Sequence, residues 1–224
     1  MKAFFSPILA ILWKDILLET RTKDMLVAVF VFSLLVIVIF NFALDPTPGM
    51  IGLVAPGVLW VAFVFGGVLG LTRSFAIEED GGNIDALLLA PIGRDSIFLG
   101  KMLSNFLFML LVETLVFPIF AVLFNFSLTT PGMVPVALLA TLGIATVGTL
   151  FSAMSVNTRV REVMLPLLFF PLIVPVILAA VEASGILLRD GALGDTGQWL
   201  PLLAAYDAIF LVICPVAFHL VVEE

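Results

Sequence analysis

The chain has 224 residues, of which 62% are hydrophobic and only 12% charged. Soluble domains carry about 45–50% apolar and about 25% charged residues, so this composition, with a mean hydropathy of +1.25, indicates a polytopic membrane protein. The formal net charge of -7 argues against nucleic acid, which needs a basic face. The single cysteine, Cys214, excludes an intrachain disulfide and a cysteine-based metal cluster.

Residues 3–20 come first. Phe4, Ile8, Ile11 and Leu12 recur at helical spacing, interrupted by Lys14, Asp15 and Glu19. The run is too polar to span a bilayer and too apolar for a free tail, which predicts an amphipathic helix lying in the interface with Trp13 at headgroup level. It lacks the small-residue cleavage site of a signal peptide. Apolar runs long enough to cross about 30 Å of hydrocarbon follow at about 25–44 and 53–71. The turn Asp45-Pro-Thr-Pro-Gly49 separates them, and Gly66 and Gly70 form a small-residue pair in the second. After a polar loop, further spans are expected at about 102–126, 133–154, 163–181 and 201–222. Asp95 is the expected cap of the third, and Pro166, Pro171 and Pro175 imply a bend in the fifth. The stretch from Glu182 to Trp199 is expected as a polar, Gly-rich link with a short interfacial turn over Ile186–Leu188. The fold class is therefore an all-α integral membrane protein of six transmembrane helices in one permease-like domain. Nine of the ten Lys and Arg fall on one side of that arrangement, Arg189 being the exception. The positive-inside bias places both termini and the loop at residues 73–100 in the cytoplasm.

That loop is the organising feature of the sequence. Glu78, Glu79 and Asp80 form an acidic run and Gly81-Gly82 break the backbone. Asn83 is a plausible N-cap, and Asp85 sits in the first turn, where negative charge suits the helix dipole. Ile84, Leu87, Leu88 and Leu89 make an apolar face before Pro91 and Gly93 stop the helix. Such a short amphipathic helix either lies on the membrane or fills a groove in a partner. Two acids fall within the apolar segments. Glu113, deep in the third span, either serves a substrate path or coupling role or has a structural one, bonded to Asn105 or Thr114 of its own span or to a group on another helix. Asp207 is expected to pair with Arg189 or to reach water. No P-loop, zinc-protease or nucleophile-elbow motif is present, and His219 is the only histidine. An intramembrane enzyme binding Mg²⁺ through Asp80 and Asp85 would lack a second acidic motif.

The pattern acid–Gly–x–[Leu/Ile]–acid–x–Leu–x–Leu–x–Pro resembles the coupling helix of ABC-2 type exporter permeases. Ala55-Pro56-Gly57-x-x-Trp60, Arg73-x-Phe75 and then Glu78, Gly82, Ile84, Asp85, Leu87, Leu89 and Pro91 narrow the resemblance to the CcmB family, the haem exporter B subunit of cytochrome c maturation. Thr72 stands where that family often has Glu, and Gly81 where a second acid is common. The resemblance implies a non-catalytic permease subunit of the bacterial inner membrane, with haem as substrate and no resident cofactor. ATP would be bound by a CcmA-like ATPase docked on Glu78, Gly82, Ile84, Asp85, Leu87, Leu88, Leu89 and Pro91. It also implies a CcmC-like haem-handling subunit, a small CcmD-like subunit, a CcmE-like periplasmic haem chaperone, and two copies of this chain per complex. The competing readings are an ABC-2 exporter of a drug or lipid, against which the Ala55–Trp60 stretch weighs, and a non-transporting scaffold for haem loading.

Overall fold

The computed structural model describes residues 2–44, 48–80, 89, 92–126, 130, 132–156, 161–190 and 192–221. Every regular element among them is helical: α1 Lys2–Thr22, α2 Asp24–Leu44, α3 Pro48–Asp80, α4 Arg94–Leu123, α5 Met133–Val156, α6 Arg161–Asp190 and α7 Trp199–Val221, with a 3₁₀ turn over Leu193–Thr196. The last six are long and apolar enough to cross a membrane. Lipid offers the backbone no hydrogen bonds, so apolar segments of this length satisfy their own amides as helices.

α3 and α5 form the interior, and α2 and α7 lie at the edges. Small residues set these positions. A Cβ on Gly66 would meet Ser33 Oγ of α2 at 2.6 Å, and one on Gly70 would meet Met25 Cε at 3.0 Å. The Gly66/Gly70 pair is thus the seam along which α2 seats on α3, reinforced by a hydrogen bond from Ser33 Oγ to the Ala62 carbonyl at 3.3 Å. Gly148 of α5 likewise admits Leu71 of α3. Trp60, fully buried on α3, donates its indole N–H to Ser184 of α6 at 2.9 Å.

Three local expectations are corrected. α6 does not end near residue 181 but continues to Asp190. Exposed Glu182 points outward, while Ala183, Ser184 and Leu187 bury against the bundle, so Ile186–Leu188 belong to one long helix rather than a separate turn. α4 is capped by the extended backbone of Gly93, whose carbonyl accepts from Ser96 N–H at 2.9 Å; Asp95 lies within the first turn and makes no side-chain cap. Asp207 neither pairs with Arg189 nor reaches water. It is buried against Gly143 of α5, while Arg189 donates back to the Gly185 carbonyl at 3.0 Å.

Candidate functional site at the ends of three helices

α3 is 33 residues long, about 50 Å at 1.5 Å per residue, so its last turns outrun the hydrocarbon and carry Glu78 beyond it. α4 begins on the far side of the loop and presents Lys101 two turns in. The two side chains meet at 2.8 Å, both almost wholly buried. Lys101 also reaches Asp15 of α1 at 3.2 Å and the Ser74 carbonyl at 3.3 Å, and its ammonium lies 5.6 Å from the centre of the Phe75 ring. Lys14 of α1 donates to the same Glu78 oxygen. A three-helix knot of two cations and two carboxylates therefore fixes the ends of α1, α3 and α4 at one level. Beneath it Phe218 of α7 packs on Phe98 and Phe75, with ring centres 5.5 and 6.2 Å away.

Burial alone would favour a neutral Glu78. The Lys101 charge and the hydrogen bonds from Lys101 and Lys14 outweigh it and hold the carboxyl below its usual value. Lys14 shows the mirror image: partial burial opposes its charge, but Glu78 and Asp15 push its ammonium above the usual lysine value.

α1 meets this knot because its two faces differ. Ile8 and Ile11 are buried, while Phe5, Leu9, Trp13 and Leu17 are exposed along the opposite stripe. Gly100 of α4 allows the approach, since a Cβ there would stand 2.9 Å from Ile11 Cβ and 3.3 Å from the Ile8 carbonyl. At the junction with α2, Lys23 adopts φ 59°. Its N–H donates to the Glu19 carbonyl at 2.8 Å and its own carbonyl accepts from Val27 N–H at 3.0 Å, so one residue closes α1 and opens α2. The Glu19 carboxylate caps the new helix by accepting from Leu26 N–H at 2.7 Å.

Of the residues singled out in the loop, Glu78 is drawn inward into the knot, whereas Leu89 is 85% exposed. Gly82, Ile84, Asp85, Leu87, Leu88 and Pro91 lie outside the described residues. Glu113 is buried, and one of its oxygens accepts from Thr141 Oγ1 of α5 at 2.6 Å; the other has no partner among the described residues. The neighbours considered for it are engaged elsewhere: Asn105 donates to Thr149 at 2.9 Å and Thr114 to its own helix. Both oxygens of Asp207 are likewise unpartnered among the described residues. No group of three or more His, Cys, Asp or Glu suited to a metal occurs among the described residues. Lys14, Asp15 and Lys101 lie outside the loop motif. The available signal was opposite charge at the mouths of adjacent apolar segments, which a count of basic residues by side does not resolve into pairs.

Comparison with known proteins agrees with the motif reading. The family model described as CcmB protein matches residues 6–224. The Heme exporter protein B of Paracoccus denitrificans is 31% identical over 210 residues, 93% of this chain and 94% of that protein. The protein of the same name from Rhodobacter capsulatus is 30% identical over the same shares. That from Haemophilus influenzae is 31% identical over 159 residues, 69% of this chain and 72% of that protein. With a whole-length family match and relatives of equal length, the chain belongs to the CcmB protein family.

Proposed function

We propose that this chain is the membrane permease subunit of an ABC transporter serving cytochrome c biogenesis in the bacterial inner membrane, with both termini in the cytoplasm. It takes part in haem export or in ATP-driven release of a haem-loaded chaperone. It is itself non-catalytic: ATP is hydrolysed by a CcmA-like subunit, and CcmC-like, CcmD-like and CcmE-like proteins complete the haem pathway. Two copies of the chain make up each complex. What supports the coupling role is one observation. The segment of sequence that holds Ile84, Leu87, Leu88 and Leu89 joins two helices, α3 and α4, whose ends are locked together by the buried Glu78–Lys101 pair. A rigid base under a short docking helix transmits displacement: closure of the ATPase would tilt α3 and α4 as one body, biasing a bundle with two arrangements.

The test is Leu87→Asp and Leu88→Asp, made singly in the full complex. A charge on the apolar docking face is expected to abolish co-purification of the ATPase while leaving membrane insertion intact. Normal co-purification with both variants overturns the docking assignment.

A further inference from the structure

A cavity of about 570 Å³ lies between the second half of α1, the start of α2 and α4. Its size falls within the range of small-molecule sites, about 300–1,000 Å³. It is polar at one end only. Lys101, Glu78, Glu19 and Lys23 line that end, Glu19 and Lys23 forming its rim. The wall then runs along α4 through Leu107 to Leu111, a rise of about 15 Å from Lys101. Leu107 and Leu111, with Val27 of α2, are 40–52% exposed, so the wall opens toward the surrounding hydrocarbon.

The charges are not equivalent. Lys101 is consumed by Glu78 and Asp15. Glu19 spends one oxygen on the Leu26 amide. Lys23 has no ion pair among the described residues and lines the cavity from the junction of α1 and α2, where its backbone is left-handed. The rim therefore offers one unengaged ammonium beside a carboxylate with an oxygen to spare, above an apolar slot of acyl-chain length.

We propose that this cavity is a binding site for one phospholipid of the cytoplasmic leaflet with a zwitterionic, primary-amine headgroup, its phosphate on Lys23, its amine toward Glu19 and an acyl chain along Leu107 and Leu111. Charge complementarity selects the headgroup. With Asp15 and Glu78 paired to Lys14 and Lys101, the rim is left with one cation, Lys23, and one carboxylate, Glu19, so a net-anionic headgroup would leave Glu19 without a cationic partner, and a quaternary amine could not donate hydrogen bonds to Glu19. The bound lipid becomes a wedge between α1 and α4, completing the surface on which α1 rests. The inference does not depend on what the complex transports.

The experiment is native mass spectrometry of the chain, alone and in its complex, after extraction from vesicles of equal phosphatidylethanolamine, phosphatidylglycerol and phosphatidylcholine. One phosphatidylethanolamine per chain is expected to survive delipidation. Lys23→Gln should lower its retention roughly tenfold, the loss of one charge-assisted hydrogen bond. Leu107→Trp should exclude it by filling the slot, and Val212→Trp, on the lipid-facing side of α7, should leave it unchanged. Preference for phosphatidylglycerol, equal retention of phosphatidylcholine, or retention unaffected by Lys23→Gln and Leu107→Trp overturns the proposal. So does loss of the lipid on assembly of the complex, which would assign the slot to a partner helix.

Discussion

At the scale of single residues, Lys101 decides how the joined ends of α1, α3 and α4 behave. Its ammonium is withdrawn from water, and Glu78, Asp15, the Ser74 carbonyl and the Phe75 ring share its charge. Breaking a buried ion pair by removing one partner costs about 3–5 kcal/mol, whereas replacing both with apolar groups is often neutral. Lys101→Met alone is thus expected to destabilise strongly, because Glu78 keeps only the half-exposed Lys14; Glu78→Leu combined with Lys101→Met should recover most of the loss. Thermal unfolding in detergent measures both, and a double variant as unstable as the single one would show that the pair is not the source of the effect. The pH response follows from the signs. Glu78 is held below its usual 4.5, so its contribution is present above that value and fades as pH falls through the lowered one. Lys14 is held above its usual 10.5, so its contribution is lost only as pH rises through a still higher value. Docking of α1 should therefore be flat from about pH 5 to 10 and loosen in stronger acid. Quenching of Trp13 by brominated lipid, in a variant with Trp60 and Trp199 changed to Phe, reads this directly.

At the scale of elements, the six apolar helices were legible because lipid leaves the backbone little choice: length and hydropathy suffice. The Gly66/Gly70 pair was legible as a pattern, and its partner, α2, became visible only when Ser33 and Met25 were placed against it. The end of α6 was hidden because Glu182 and Gly185 resemble a linker in composition. Only their placement, one outward and one beside Pro56, shows that a helix tolerates them. The loop's docking face was read from the sequence alone, and of its residues the structure adds Glu78 and Leu89. For α1 the amphipathic pattern predicted an interfacial helix, but not that Gly100 is its seat. Gly100→Val should push α1 away, since the added atoms would meet Ile11 and the Ile8 carbonyl, and overpacking of this kind costs about 1–3 kcal/mol. Faster tryptic cleavage after Arg21 and Lys23 is the expected sign; unchanged cleavage would mean that α1 is held by the ionic knot alone.

At the scale of the whole molecule, α5 is a polar spine inside an apolar bundle. Glu113 of α4 bonds to Thr141, Asn105 of α4 to Thr149, and Ser152 to the Leu71 carbonyl of α3. Asp207 of α7 faces the same helix at Gly143. The sequence left Glu113 open between a structural hydrogen bond and a working carboxylate; the structure shows the interhelical bond, to Thr141, and the working role is a matter for experiment. One oxygen of Glu113 has no partner among the described residues, and a buried polar group left in that state costs about 1–3 kcal/mol, which motivates a test of the working role. Thr141→Val should destabilise by that amount by orphaning the second oxygen. Glu113→Leu with Thr141→Val removes the whole polar pair and should restore stability to the parent level or above it. If the carboxylate works in transport, this stable double variant will assemble with its ATPase and still fail to support cytochrome c maturation. If Glu113 only joins helices, the same variant will mature cytochrome c at the parental rate. Stability and function are thereby read on one molecule, and the outcome expected from the unpartnered oxygen is loss of function without loss of fold.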